Sequence, residues 1–110
     1  MLEKDFQAKF IKKLKSEFAG KIVVVKNQAG PGVPQGFPDV SVFPMNNGFR
    51  GAIHIEFKKS SSSPYRPNQE YYLSALKQPG ITRTFTAFPE NESFVMSKIR
   101  EIMSKNILRH

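Results

Sequence analysis

Three ionisable side chains within a short alternating segment are the first candidates for chemistry. Residues 52–58 (AIHIEFK) alternate in polarity, which is typical of a strand. Because successive side chains of a strand point to opposite faces, one face is apolar and the other carries His54, Glu56 and Lys58. A sheet face open to water would explain these charges equally well, so the strand alone leaves both interpretations open.

A second carboxylate, Asp39, favours the chemical interpretation. It follows a glycine-rich segment that ends at 36–38 (GFP). A hairpin through 46–48 (NNG) would bring Asp39 beside Glu56. Two carboxylates with a nearby lysine suit Mg²⁺, which takes oxygen ligands at about 2.0–2.1 Å. Such a metal would polarise a phosphate and lower the pKa of a bound water. Lys58 would then hold or deprotonate that water, or neutralise charge in the transition state.

The first predicted helix, residues 2–18, places an acid among its apolar side chains. At about 100° per residue, Glu3 lies within the apolar stripe, whereas Asp5 lies on the opposite face. Glu17 falls close to the stripe at the helix end, where we expect it to be solvated. An acid on a core-facing stripe needs a partner or a metal, although Glu3 could instead fray into water or complement the helix dipole. We expect Glu3, rather than Asp5 or Glu17, to be functional.

A glutamine takes a comparable position on the second predicted helix, residues 67–78. Gln69 shares a packing face with Tyr72, Leu73 and Leu76. A buried amide needs hydrogen bonds. Gln69 is therefore either an ordinary core amide bonded to backbone, or it reaches into the site opposite Lys58.

The remaining elements complete one α/β (α+β) domain, which we expect to span residues 1–110. Residues 27–38 hold three glycines and three prolines and are predicted to form a loop. Strands are predicted at 21–26 (as a buried strand), 40–43, 52–58 and 83–88, and a third helix at 91–107. The order is α-β-β-β-α-β-α. We expect the first three strands to form a meander and the fourth to join after a helical crossover, which gives a mixed central sheet flanked by helices.

Composition narrows the classes of partner and site. Seventeen Lys and Arg residues against nine acids give a net charge of +8, which indicates a polyanion such as nucleic acid. The absence of cysteine excludes disulfides, thiol nucleophiles and cysteine-based zinc sites, and two histidines are too few for a histidine-rich metal site. No apolar run is long enough to span a bilayer, and residues 1–5 lack the apolar stretch of a signal peptide. We therefore expect a cytoplasmic protein with no membrane partner.

Several cations are predicted to contact the nucleic acid. They are expected to position phosphates rather than to read bases, and the principal candidates are Lys12, Arg50, Lys59 and Arg66.

These motifs, in this order, resemble the PD-(D/E)XK nuclease superfamily and, within it, the VRR-NUC family of virus-type nucleases. Pro38-Asp39 is similar to the PD element, and Glu56-Phe57-Lys58 is similar to the ExK element. Further similarities are Glu3 with Gln7 (E-x-x-x-Q in the opening helix), Asn27 after the first strand, 36–40 (G-x-P-D-[ILV]) and 67–69 (the S-P-E-Q start of the second helix).

The resemblance runs from Glu3 to about Phe88, with two departures. Arg66 stands where a capping Ser or Thr is usual, so the helix start loses a good N-cap and gains a cation that can reach a phosphate. The serine-rich spacer at 59–66 looks looser than the family's short turn.

The resemblance implies a restriction-endonuclease-like PD-(D/E)XK core and a DNA-cutting phosphodiesterase that depends on Mg²⁺ or Mn²⁺. It implies that the metal is held by Glu3, Asp39 and Glu56 with the Phe57 carbonyl, and that Asp39, Glu56, Lys58 and Gln69 are catalytic. Stand-alone members of the family resemble Holliday-junction resolvases, which are commonly homodimers and often phage-encoded, and would then act in the host cytoplasm. The third helix has a wide, methionine-rich apolar arc and is the candidate dimer contact, unless it is fully buried within one chain.

Other functions fit part of the sequence. Within the enzymes, the alternative is a nickase or a restriction-like nuclease. A catalytically inactive DNA-binding module would share the fold, but its carboxylates would repel a phosphate unless metal were bound. A ribosomal or RNA-packaging protein would explain the net charge but not the acids on the sheet face.

Overall fold

The computed structural model describes residues 2–28, 30–45, 51–77 and 82–107 of the chain. These residues form an α+β domain in which a four-stranded mixed sheet packs with three α-helices, in the predicted order α-β-β-β-α-β-α. A 3₁₀ turn at Pro89–Asn91 leads directly into the last helix. The elements are α1 (Glu3–Glu17), β1 (Ile22–Lys26), β2 (Val40–Pro44), β3 (Ile53–Phe57), α2 (Gln69–Ala75), β4 (Arg83–Ala87) and α3 (Glu92–Ile107).

The sheet has the spatial order β1-β2-β3-β4. The first two pairings are antiparallel and the third is parallel, so the predicted meander and crossover are both confirmed. In this register Ser41 lies opposite His54, and Glu56 lies beside Thr86 of β4. The turn predicted at 46–48 and the predicted end of the second helix near residue 78 lie outside the described residues.

Helices α1 and α3 share the apolar face of the sheet. The Phe57 ring meets the edges of Phe6 and Phe10, with ring centroids 5.7 and 5.3 Å apart, which is a favourable geometry for aromatic pairs. From α3, Val95, Met96, Ile99 and Met103 enter the same buried cluster, so the apolar arc predicted as a candidate dimer contact is instead buried within one chain. No helix in the described part of the chain is long and apolar enough to cross a membrane.

Strand β1 differs from its prediction as a buried strand. Val23 and Val25 are 44% and 40% exposed on one face of β1, which within the described residues pairs only with β2 at the edge of the sheet. Ile22 and Val24 face the core and are only partly buried. A β-branched run indicates a strand, but it does not indicate whether a helix will cover both faces of that strand.

Helix α2 is shorter than the predicted 67–78 and starts two residues later. Asn68 precedes it with φ of 69°, a left-handed conformation that Asn tolerates better than most residues. The loop before β2 packs tightly on this helix start at Gly36, whose φ is +88°. A Cβ at Gly36 would lie 2.6 Å from the Pro67 carbonyl oxygen, so only glycine allows this approach.

Candidate functional site

Strand β3 is buried on both faces, and its polar face is the centre of the candidate site. Glu56 is 1% exposed and Lys58 is 4% exposed, although both carry ionisable groups. Helix α2 and the loop before β2 cover them. The interpretation of these charges as a water-exposed sheet face is therefore wrong, and each buried charge needs specific partners.

Gln69 supplies those partners from the first residue of α2. Its Nε2 donates to Glu56 Oε2 at 2.7 Å, and its Oε1 accepts from Lys58 Nζ at 2.6 Å. The same Oε1 accepts from the backbone N–H of Arg66 at 2.5 Å, which closes the turn before the helix. Gln69 thus contacts both ionisable groups of the site and also accepts a hydrogen bond from the backbone. It therefore has the contacts expected of a buried core amide as well as those of a residue that reaches into the site.

Glu56 has one oxygen that its surroundings leave without a hydrogen bond. Its Oε2 accepts from Gln69 and lies 3.8 Å from Lys58 Nζ, whereas its buried Oε1 has no hydrogen-bond partner. Burial raises the pKa of Glu56 to about 8; the negative charge of Asp39 and a side-chain hydrogen bond that a protonated Glu56 makes with Asp39 add to the rise, while the charge of Lys58 opposes it. The site therefore favours a proton or a cation at this carboxyl near neutral pH.

Asp39 joins the start of β2 to the end of β3. Its Oδ2 accepts from the Phe57 backbone N–H at 2.8 Å. The next N–H, that of Lys58, donates in the opposite direction to the Ala87 carbonyl of β4. Because the N–H and C=O of one strand residue point to the same side, the Phe57 carbonyl faces the side of β3 where Asp39 lies.

A chain of hydrogen bonds lies behind Asp39, and it includes Ser41, which is not among the site residues predicted from the sequence. Asn27 Nδ2 donates to the Pro38 carbonyl at 3.1 Å and to Ser41 Oγ at 2.8 Å, and Ser41 Oγ lies 2.8 Å from His54 Nδ1. Burial lowers the pKa of His54, which favours the neutral imidazole. This chain fixes the peptide that precedes Asp39. The sequence signal for Ser41 was its position two residues after Asp39, on the same face of β2.

The structure places Glu3 near the site but not in a compact carboxylate group. Glu3 is partly buried and Asp5 is exposed, in the order that the helical wheel predicts. The charge of Glu3 makes a small contribution to raising the pKa of Glu56. Within the described residues, no three His, Asp or Glu side chains stand close enough together to hold a metal ion. Glu17 pairs with Arg100 of α3 at 2.9 Å, a partner that the sequence did not indicate.

The cations predicted to contact DNA lie in two separate places. Arg66 is exposed and lines a cavity of about 410 Å³ together with Asp39 and Gln69. Lys59 is exposed and follows Lys58 directly. Lys12 instead lines a cleft of about 650 Å³ between α1 and α3, in the layer that covers the apolar face of the sheet. The remaining candidate, residue 50, lies outside the described residues.

Compared with protein-family models, with curated proteins and with solved structures, the chain shows no match. Its site is therefore interpreted from its own residues and their geometry.

Proposed function

We propose that this protein is a metal-dependent DNA endonuclease that hydrolyses phosphodiester bonds, with a PD-(D/E)XK core of the VRR-NUC type. One observation carries the proposal. Glu56 is a buried acid whose Oε1 receives no hydrogen bond from a protein donor, and it lies so close to Asp39 that the charge of Asp39 and a hydrogen bond with it raise the pKa of Glu56, so the pair of acids holds either a proton or a cation. A buried polar atom without a hydrogen bond is uncommon and unfavourable in folded proteins, and it suggests a role in binding or chemistry.

The residues fit a divalent cation. Asp39 and Glu56 offer the hard oxygen ligands that Mg²⁺ and Mn²⁺ accept, and the Phe57 carbonyl faces the same side of the strand. The unpartnered Glu56 oxygen and the raised pKa of its carboxyl are both consistent with a cation in place of a proton. Glu3 is a further candidate ligand at the start of α1. When bound, the ion would polarise a phosphate and lower the pKa of a water ligand.

Lys58 is the cation that the chain itself supplies. Its ammonium group is held by Gln69 Oε1 and lies 5.4 Å from the centre of the Tyr65 ring. A buried, oriented positive charge stabilises negative charge that develops on a phosphate more strongly than a charge in water does. Lys58 therefore neutralises negative charge in the transition state or holds the attacking water through its ammonium group. Gln69 positions Lys58 for this role and at the same time fixes Glu56.

The DNA itself is recognised largely by charge. Lys59 and Arg66 flank the site, and the net charge of +8 favours a long polyanion over a small phosphate ester. Branched DNA, such as a Holliday junction, is the proposed substrate. Symmetric cutting of such a junction needs two sites, which a two-fold homodimer provides. Light scattering should then report about twice the 12.5 kDa of one chain.

A single gel series tests the proposal. A four-way junction, a flap, a duplex and a single strand are each incubated with the protein in Mg²⁺ or in EDTA. We expect Mg²⁺-dependent cleavage of at least one branched substrate and none in EDTA. The exposed-acid variant Asp5→Asn serves as the control and should cut like the wild type. If no DNA is cut in Mg²⁺ or Mn²⁺ by folded protein, the protein is a binding module rather than an enzyme.

A further inference from the structure

Two cavities adjoin the candidate site and share one wall. The first, of about 410 Å³, has Asp39 and Gln69 on one side and the loop residues Val33 and Phe37 on the other. The second, of about 570 Å³, lies between Tyr65 and Tyr71. Arg66 and Pro67 line both, so the two cavities follow one another along the surface. A path therefore leads from the catalytic groups past one arginine to a pair of tyrosines.

The size of the first cavity selects what can enter it. A volume of about 410 Å³ corresponds to roughly 7 Å in each direction if its dimensions are equal. A DNA duplex is wider than its own major groove, which measures about 12 Å. Paired DNA is therefore too wide to enter this cavity. The volume lies within the range of pockets that enclose small organic ligands, which includes a single nucleotide.

Aromatic rings line the path at both ends. Phe37 borders the first cavity, and its ring is held against His54 and Tyr72 with centroid distances of 5.9 and 5.7 Å. In the second cavity Tyr71 is 66% exposed, and its ring is braced against Tyr72 at 5.0 Å. Exposed rings of fixed orientation are the surfaces on which unpaired bases stack in proteins that bind single strands.

Among the described residues, one cation and two acids line the path, and the cation stands where the two cavities meet. Arg66 is exposed at the junction of the two cavities, where its guanidinium can contact a phosphate or stack on a base. The acids that line the path are Asp39, which the proposed function assigns to the metal, and the exposed Glu70. The path therefore presents a cation between two aromatic surfaces.

We infer that an unpaired stretch of the DNA strand occupies these two cavities, with one base beside Phe37 and the following bases beyond Arg66, against Tyr65 and Tyr71. The inference rests on the proposed function and names its substrate class: DNA in which single-stranded nucleotides adjoin the scissile phosphate, as in flaps and gaps. Fully paired DNA, including the arms of an intact four-way junction, leaves both cavities unused, so among branched substrates a flap or a gap is expected to be cut faster than a fully paired junction or a duplex.

Binding measured without cleavage tests the inference. In an Asp39→Asn background, fluorescence anisotropy compares a labelled 12-nucleotide single strand with a 12-base-pair duplex. Tyr71→Ala should weaken binding of the single strand about fivefold or more, as expected for loss of one stacking surface, and should change duplex binding less than twofold. Phe94→Ala is the matched control, since Phe94 is 60% exposed but lies on α3 on the other side of the sheet, and it should leave both affinities unchanged.

A second pair of variants separates stacking from folding at Phe37. Phe37→Leu removes the flat ring and keeps an apolar side chain, whereas Phe37→Tyr keeps the ring. We expect the leucine variant to lose single-strand affinity and the tyrosine variant to retain it. If both variants bind alike, or if Tyr71→Ala weakens single strand and duplex equally, the inference is wrong.

Cleavage distinguishes failure of the inference from failure of the proposed function. If duplex and flap are cut at equal rates in Mg²⁺ and Tyr71→Ala cuts both like the wild type, the inference is overturned and the nuclease stands. If no DNA is cut while single-strand binding still depends on Tyr71, the nuclease is overturned and the binding path stands.

Discussion

The two faces of β3 are buried by opposite means. On one face, Phe57 and its neighbours pack against the aromatic side chains of α1 and the aliphatic side chains of α3. On the other face, Glu56 and Lys58 are covered by the seven-residue helix α2 and held through the amide of Gln69. Apolar burial stabilises the fold, whereas burial of ionisable groups costs free energy unless each is paired.

This difference separates stability from function within one strand. Among the described residues, the side chains that β3 buries on its apolar face are hydrophobic and need no hydrogen-bond partner. The polar face retains an unpartnered carboxylate oxygen and opens to a cavity beside Asp39. If the polar face is the functional site, mutations there should change activity, whereas mutations on the apolar face should change stability.

The apolar face should control stability. Phe10 is fully buried and contacts Phe57, so Phe10→Ala should lower the free energy of unfolding by about 3–5 kcal/mol. Chemical denaturation followed by circular dichroism measures this loss. Whatever fraction of Phe10→Ala remains folded should still show Mg²⁺-dependent cleavage. A loss below about 1 kcal/mol would contradict the assignment of the core to this face.

The polar face should make stability depend on pH through Glu56. Its pKa is about 8 in the folded protein and near 4.5 in the unfolded chain, so the folded state retains a proton that the unfolded state has released. The contribution of this proton to the free energy of unfolding is complete below pH 4.5 and is lost as the pH rises through 8. Its size is on the order of a few kcal/mol.

Glu56→Gln provides the comparison for this pH dependence, because it removes the titrating group and preserves its shape. The variant should match the wild type at pH 5 and exceed it in stability at pH 9. Mg²⁺ should restore the stability of the wild type at pH 9 and not that of the variant, since a ligand stabilises only the state that binds it. If the free energies of unfolding of the two proteins change with pH in the same way, Glu56 is not the group that makes stability depend on pH.

Asp39→Asn should act on cleavage rather than on folding. Asparagine can still accept the hydrogen bond from the Phe57 N–H, but it lacks the charge that a metal requires. We expect the cleavage rate to fall at least a hundredfold, equivalent to about 2.7 kcal/mol in the barrier, with thermal unfolding near that of the wild type. A rate above about a tenth of the wild-type rate would exclude Asp39 from the chemistry.

Lys58→Ala should also abolish cleavage, but it is a less clean test because of burial. Removal of the ammonium group leaves Glu56 buried without its nearest positive charge, so a loss of stability accompanies the loss of activity. We therefore expect the partly buried Asp39 to separate cleavage from folding more clearly than the buried Lys58 does.

The smallest effect is expected from Glu3. Glu3→Gln should lower Mg²⁺-dependent activity by about tenfold, or roughly 1.4 kcal/mol, because the Glu3 carboxylate lies near enough to act on Glu56. Asp5→Asn changes an exposed acid in the same helical turn and should have little effect. Equal losses in the two variants would indicate a general effect of charge at the helix start.

Local pattern determined much of the framework. The alternation in β3 fixed which side chains share a face, and glycine, proline and periodicity located the helices and strands to within a few residues. These signals are local, since they depend on backbone geometry and on neighbours one to four positions away. They also placed Glu56, Lys58 and Gln69 on faces that could meet. Burial was less predictable, as the exposed edge strand β1 shows.

Only the tertiary structure decided which surfaces are covered and which partners meet. That α2 buries Glu56, that one oxygen of Glu56 remains unpartnered, and that Arg66 stands between two cavities all depend on contacts between residues far apart in sequence. The close approach of Gly36 to the start of α2 is the clearest case, because its sequence context indicates only a loop. A sequence states the chemical groups and their local periodicity, whereas desolvation and hydrogen-bond partnership arise when separate elements pack together.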